Sequence, residues 1–117
     1  MGQRRRVTLR PGTRTRALYG TEAADEEYYC NYGINPAWVA RLEEAGLRVS
    51  GVGEQGEPRV VELPEHPFFV ASLFLPQARS SAAAPHPLLV GFARAVAAHA
   101  AGRGASGQRT RARATTE

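Results

Sequence analysis

Hydrophobic and polar positions alternate along 7–9 and 47–51, and this alternation predicts β-strands. The segment 28–32 is rich in aromatic residues, which favours a strand, and 59–63 follows a turn as the expected return of 47–51. The predicted strands are therefore 7–9, 28–32, 47–51 and 59–63. The last two flank a turn that contains Gly56, so we expect them to form an antiparallel hairpin over 47–63. The acidic segment 21–27 shows neither the alternation of a strand nor the apolar spacing of a helix. It is predicted to be a loop or a poor short helix.

A fifth stretch, Phe68–Leu75, is apolar almost throughout. A continuous apolar run of this length is typical of a strand that is buried on both faces of a sheet. We therefore expect this strand to have covers on both faces and neighbours on both edges, and an exposed flank if those neighbours are missing.

Two helices are predicted on the same grounds. The first covers 36–45, because Asn35 is a preferred N-cap and Pro36 suits the first helical position. The second begins near Pro87 and fades near Ala101. Apolar residues recur at helical spacing in both, at Trp38, Leu42 and Ala45 and at Leu88, Phe92 and Val96. A sheet with helices packed on it places the chain in the α/β class.

Composition narrows the classes of protein that this chain can represent. With 117 residues and 43% hydrophobic residues, it suits a single packed domain. No stretch approaches the roughly 18–20 apolar residues of a membrane-spanning helix, so we expect no membrane role. One cysteine excludes an internal disulfide, and three scattered histidines lack zinc spacing. We expect a reduced, cytoplasmic protein without metal or cofactor.

Charge is concentrated at the two ends of the chain. Residues 1–16 carry six arginines and no acid, and 103–117 carry four arginines and one acid, whereas the middle is acidic. We predict a basic start at 1–6, a folded unit at 7–101 and a disordered Arg/Ala/Gly tail at 102–117. The tail lacks aromatic platforms for bases, which argues against nucleic acid, although contact with RNA or an acidic protein stays an alternative.

Several segments, in unbroken order over residues 7–92, resemble the glutaminase domain of the CTP synthase family, a class I glutamine amidotransferase. They are Val7–Thr13, Leu18–Gly20, Tyr32–Pro36, Leu42–Gly51, His66–Val70, Pro85–Leu88 and Gly91–Phe92. The chain also resembles degenerate relatives called CTP synthase C-terminal region-related proteins, some of which contain selenocysteine. The resemblance implies the C-terminal half of a flavodoxin-like domain with a mixed sheet.

The same resemblance implies a chemistry and the residues that perform it. In the family a Cys-His-Glu triad hydrolyses glutamine, and the ammonia is used to make CTP from UTP. The histidine and glutamate belong to a Phe-His-Pro-Glu segment, which here reads Phe74-Leu75-Pro76-Gln77. Leu75 cannot accept a proton, and Gln77 cannot supply the orienting negative charge.

Other family positions also differ in this chain. Two arginines that are expected to grip the glutamine carboxylate correspond to Tyr29 and Asn31, neither of which can form a charge-assisted fork. Cys30 stands where the family has a histidine, and the nucleophile of the family precedes the matched region. Cys30 is either a structural thiol or a redox thiol. No positively charged residue lies near it in the sequence that would lower the pKa of the thiol.

We therefore predict a catalytically inactive relative, or pseudoenzyme, of the CTP synthase glutaminase domain. The alternative is a non-enzymatic binding or regulatory module that docks on a partner protein or a polyanion. Two kinds of partner follow from the predicted exposed flank: a second copy of the chain, or a protein that supplies the other half of the domain, including its nucleophile.

Overall fold

The fold is built on one five-stranded sheet. Its structure, a computed structural model, describes the backbone of residues 3–28 and 33–116 and the side chains of 3–28 and 33–102. The strands are β1 (Gln3–Leu9), β2 (Ala23–Tyr28), β3 (Arg48–Val52), β4 (Pro58–Glu62) and β5 (Val70–Ser72). The helices are α1 (Arg14–Tyr19), α2 (Val39–Glu44) and α3 (Pro87–Thr116), with 3₁₀ turns at Pro36–Trp38 and Pro76–Arg79. Across the sheet the order is β2-β1-β3-β4-β5.

The direction of the strands differs from the mixed sheet of the sequence-based prediction. All four strand pairings among the described residues are antiparallel. Consecutive strands such as β3 and β4 are joined by short turns, and a parallel pair would need a crossover of about a dozen residues or more. The α/β class itself is confirmed.

The predicted hairpin over 47–63 is confirmed as β3 and β4. Its turn is closed by the Gly53 N–H, which donates to the Glu57 carbonyl at 2.8 Å, and Gly56 adopts a φ of +80°. The register shifts around Gly51, where a Cβ atom would lie only 2.9 Å from Val60 Cγ2. A glycine at this position therefore lets β3 and β4 approach in the centre of the sheet.

The basic start is part of the sheet, because β1 already begins at Gln3. β1 pairs with β2, which occupies the segment predicted to be a loop or poor helix, so that prediction is wrong. Arg4 lies opposite Glu27 and Arg6 opposite Asp25, with N–O distances of 3.3 and 3.7 Å. These cross-strand pairs compensate for the low strand propensity of the acidic segment.

Helix α1 has no counterpart in the sequence-based prediction. The Thr13 hydroxyl caps its N-terminus, and Gly20 ends it with a φ of +72°. The buried Glu62 carboxylate on β4 accepts the backbone N–H groups of Arg14 and Thr15 at 3.0 and 3.1 Å. A carboxylate at this position satisfies free donors and complements the helix dipole, so a six-residue helix is stabilised from outside.

The predicted first helix is present as a 3₁₀ turn followed by α2. Asn35 Oδ1 accepts the Ala37 N–H at 3.0 Å, which confirms the expected N-cap. Trp38, the first residue of the predicted apolar series, is 51% exposed and does not join the buried core. The Arg41 guanidinium lies 4.8 Å from the centroid of the indole and covers it in place of the sheet.

The second predicted helix begins at Pro87 as expected and is α3. Leu88 is buried, whereas Phe92 and Val96 are 55% and 51% exposed, because only the first turns of α3 contact the core. The backbone of α3 continues as helix through 102–116, where the composition predicts a disordered tail. The division of the chain into 1–6, 7–101 and 102–117 stays a prediction.

The core lies between the sheet and the pair α1 and α3. It consists of Val7, Leu9, Tyr28, Val60, Phe74 and Leu88. β5 is an edge strand, and only one face of it reaches this core, through Val70 and Phe74. The expectation that Phe68–Leu75 is buried on both faces is therefore wrong for the described residues. α2 contacts β3, the strand that follows it.

Candidate functional site

The chain leaves β5 where the sequence analysis locates the two altered triad positions. The Leu75 backbone N–H donates to the Glu27 carbonyl at 3.1 Å, and Leu75 caps the 3₁₀ turn that begins at Pro76. Its side chain is 37% exposed, and Gln77 is exposed within the turn. This end of the strand thus presents an alkyl group and a neutral amide, neither of which takes up a proton near neutral pH.

A bidentate ion pair ties the same 3₁₀ turn to β2. Arg79 Nε and Nη2 lie 2.6 and 3.0 Å from the two carboxylate oxygens of Glu26. Glu26 is fully buried, and the Arg79 side chain is partly exposed. A fork of this kind fixes orientation as well as distance, so it anchors the turn that carries Gln77.

His86 occupies the other side of the Glu26 carboxylate and is fully buried. Its Nε2 lies 2.7 Å from Glu26 Oε2, and its Nδ1 accepts the Leu88 backbone N–H at 3.1 Å. Because an accepting Nδ1 carries no proton, these bonds assign the ring proton to Nε2, which donates to Glu26. His86 thus caps the first turn of α3.

The Tyr19 hydroxyl is the third donor to Glu26, and it also lies 3.3 Å from His86 Nε2. Burial alone would raise the pKa of Glu26, but the bonds from His86, Arg79 and Tyr19 outweigh burial and hold that pKa below its ordinary value. Burial, together with the bond to the Glu26 carboxylate, raises the pKa of Tyr19. The cluster is therefore stable as a carboxylate with a protonated phenol.

Chemically, this cluster acts as a clamp. Both nitrogens of His86 are engaged, and the Glu26 carboxylate accepts from three side chains. The clamp joins α1, β2, the 3₁₀ turn and α3. Sequence reasoning missed Tyr19, Glu26 and Arg79. Alternation of Ala24, Glu26 and Tyr28 on one face would have signalled them only if the segment had been read as a strand.

The remaining predicted site residues, Tyr29, Cys30 and Asn31, lie outside the described residues. Tyr29 and Asn31 stay predicted as altered glutamine-binding positions, and Cys30 stays predicted as a redox or structural thiol.

Among the described residues, no group of three or more His, Cys, Asp or Glu side chains is arranged to hold a metal ion. None of the helices in that part of the chain has the length and apolarity needed to cross a bilayer.

An open groove of about 560 Å³ lies between α3 and the segment before β5. Phe68, Phe92 and Val96 form its apolar floor, and His66 and His99 also line it. The Phe68 and Phe92 rings are 5.8 Å apart. The groove is lined by a different set of residues from the end of β5 and from the clamp.

The chain is similar to known CTP synthases, although no family model matches it. It is 41% identical over 92 residues to the CTP synthase of Saccharolobus solfataricus. The matched residues make up 79% of this chain and 17% of that protein. It is 44% identical over 90 residues to the CTP synthase of Methanoculleus marisnigri, covering 76% of this chain and 17% of the relative.

The fold agrees with these similarities. The structure superimposes on the glutaminase domain of Trypanosoma brucei CTPS with bound acivicin at a TM-score of 0.77 and 25% identity. The match covers 82% of this chain and 39% of the solved chain. The chain thus spans about a sixth of the length of the curated relatives that it matches. We conclude that this chain belongs to the CTP synthase family, as a homologue of part of its glutamine amidotransferase domain.

Proposed function

We propose that this chain is a glutaminase-like module of the CTP synthase family that does not itself hydrolyse glutamine. The observation that carries the proposal is the pair Leu75 and Gln77 at the end of β5. These residues stand where the family has the histidine and glutamate of its triad.

Glutamine hydrolysis by a thiol needs a base to take the thiol proton, and a carboxylate to orient that base. An alkyl side chain at one position and a neutral amide at the other supply neither function. In other triads, the loss of such members costs on the order of 10⁴–10⁶ in turnover. We therefore expect activity below the level that an ammonia assay detects.

The buried His86–Glu26 pair does not offer a substitute base. Release of His86 would leave the Leu88 N–H without its acceptor and would remove one hydrogen bond from the buried Glu26 carboxylate. Leaving buried polar groups unsatisfied costs about 1–3 kcal/mol for each group. The pair is thus retained by folding and does not serve as a mobile proton carrier.

Ammonia release from glutamine tests the proposal with the purified chain. We expect the wild-type chain and the Cys30→Ser variant to release ammonia at the same background rate. A wild-type rate clearly above that of Cys30→Ser would refute the proposal, because it would require a base that activates the Cys30 thiol.

A second candidate function, docking on a partner protein, is favoured by the exposed apolar face of β5. Its polyanion variant is less well supported, because Arg4 and Arg6 pair with acids of β2. The two variants differ in their salt dependence, since polyanion binding weakens steeply as salt rises.

A further inference from the structure

The groove between α3 and the segment before β5 has the size and the lining of a site for a small ligand. Its volume is about 560 Å³, and ligand pockets usually measure about 300–1,000 Å³. Its floor is formed by Phe68, Phe92 and Val96, the last two of which are about half exposed. Along α3 the lining runs from Phe92 to Ala100, about 12 Å of helix, so an extended chain of about eight to ten carbons fits along it.

The polar side chains at this groove are cations or hydrogen-bond donors. The Arg14 guanidinium lies 5.6 Å from the centroid of the Phe68 ring, and its Nη1 donates to the His66 carbonyl at 3.2 Å. His66 Nδ1 accepts the Phe68 N–H at 3.0 Å, which assigns the ring proton to Nε2 and makes Nε2 a donor. His99 adds a second imidazole from α3. Such a set suits an ionised carboxylate, which only accepts hydrogen bonds.

No acidic side chain among the described residues of the groove opposes a carboxylate. Glu65 precedes His66 in the sequence but does not line the groove. The Glu62 carboxylate, which accepts the Arg14 backbone N–H, is also engaged by the N–H and hydroxyl groups of Thr15. The Arg14 guanidinium itself forms no ion pair with a described carboxylate. An apolar floor is thus joined to a positive charge that lacks a carboxylate partner in the described part of the chain.

The charge of the surrounding sequence narrows the class of ligand further. Residues 66–116 contain six arginines and no Asp or Glu, so a second copy docked on this face would bring like charges together. We propose that the groove binds an amphipathic carboxylate, a small molecule with one ionised carboxyl group and an apolar body of about eight to ten carbons. The apolar body covers Phe92 and Val96, and the carboxylate lies beside Arg14 and His66. This inference goes beyond the proposed function and does not depend on whether the chain hydrolyses glutamine.

Three probes separate the contribution of the charge from that of the apolar body. Octanoate carries both, 1-octanol has the same chain without the charge, and acetate has the charge without the chain. Calorimetric titration of the full chain should give a dissociation constant below about 1 mM for octanoate. We expect 1-octanol to bind about tenfold more weakly, because the charge-assisted hydrogen bonds are lost, and acetate not to bind measurably. In NMR spectra, octanoate should shift the amide signals of Phe68, Phe92 and His99.

A pair of aromatic variants tests the floor of the groove. Phe92→Ala removes a ring that is 55% exposed on the floor, and we expect it to weaken octanoate binding by about fivefold or more. Trp38→Ala is the matched control, since this ring is 51% exposed and does not line the groove. It should leave the affinity within about twofold. Urea unfolding of both variants verifies that the fold is intact.

A pair of arginine variants tests the charge. Arg14→Gln removes the guanidinium beside Phe68 and should weaken octanoate binding by about fivefold or more. Arg94→Gln removes the same charge from α3. Because Arg94 follows Phe92 by two positions, it lies on the opposite face of the helix, and its loss should change the affinity by less than about twofold. The affinity for 1-octanol should be the same in both arginine variants and in the wild type.

Three results would overturn the inference. Equal binding of octanoate and 1-octanol would show that the groove does not recognise a carboxylate. Octanoate-induced shifts confined to residues 103–117 would show ionic contact with the arginines of that segment only. Equal weakening by Phe92→Ala and Trp38→Ala would remove the ligand from the groove. Ammonia release by the purified chain would refute the proposed function and leave this inference standing.

Discussion

At the scale of single residues, Glu26 is a buried carboxylate on the face of the sheet that packs against the core. Hydrophobic patterning gives no reason to expect a carboxylate there. It is tolerated because Arg79, His86 and Tyr19 surround it with donors. A buried charge without such partners would be strongly unfavourable. The same residue holds together segments that are far apart in sequence, so its loss should be felt through the whole fold.

Replacing Glu26 by glutamine keeps its shape and removes its charge. We expect Glu26→Gln to lower the free energy of unfolding by about 2–4 kcal/mol, because the Arg79 guanidinium loses its buried anion. Urea denaturation measures this difference. The matched control is Glu27→Gln, whose exposed pair with Arg4 should contribute less than about 1 kcal/mol. Equal effects of the two substitutions would contradict the role given to the clamp.

The same carboxylate should make stability depend on pH. The pKa of Glu26 in the folded protein lies below its ordinary value of 4.5. The ionised clamp therefore stabilises the fold fully above that ordinary value, and this contribution is lost as the pH falls through the lowered pKa. The stability difference between wild type and Glu26→Gln should be constant well above pH 4.5 and should shrink as the pH falls below that value through the lowered pKa of Glu26. A difference that stays constant would show that Glu26 does not titrate in this way.

At the scale of elements, the sequence predicts what depends on near neighbours. The β3–β4 hairpin and the start of the first helix at Asn35 follow from alternation, turns and caps, all of which are local. β2 was missed because Ala23–Tyr28 is a poor strand by composition and is held by pairing with β1. The one-sided burial of Phe68–Leu75 depends on which elements lie beside β5, and no local pattern contains that information.

The same reasoning applies to the candidate site. Leu75 and Gln77 are predicted to be altered triad positions from family resemblance, which uses only the order of residues along the chain. The clamp was not predicted, since Arg79 and Glu26 are 53 positions apart in the sequence and come together only in the folded protein.

Gly51 provides a test of the central sheet. A Cβ there would lie 2.9 Å from Val60 Cγ2 and 3.1 Å from Val7 Cγ1, and β-branched side chains cannot easily move aside. We expect Gly51→Ala to destabilise the protein by about 1–3 kcal/mol in urea unfolding. Gly102→Ala, where a Cβ meets nothing within 4 Å, should be neutral or stabilising. A neutral Gly51→Ala would mean that the packing of β3 on β4 is looser than described.

At the scale of the whole molecule, charge and apolar surface lie on different segments. Arg4 and Arg6 pair with acids of β2, while residues 67–78 contain no Asp, Glu, Lys or Arg. If the chain docks on a partner protein through apolar surface, deletion of residues 103–117 should leave the affinity for that partner unchanged and independent of salt. Titrations at low and high salt check this. A steep loss of affinity on deletion would favour binding through the arginine tail.

Our central proposal is that the side chains at positions 75 and 77, and not the surrounding fold, prevent glutamine hydrolysis. A chimera tests it most directly, in which this chain replaces the 92 matched residues of the Saccharolobus solfataricus CTP synthase. We predict that the chimera releases no ammonia from glutamine above background, and that the double substitution Leu75→His and Gln77→Glu raises the rate measurably. Hydrolysis by the unsubstituted chimera would contradict the account.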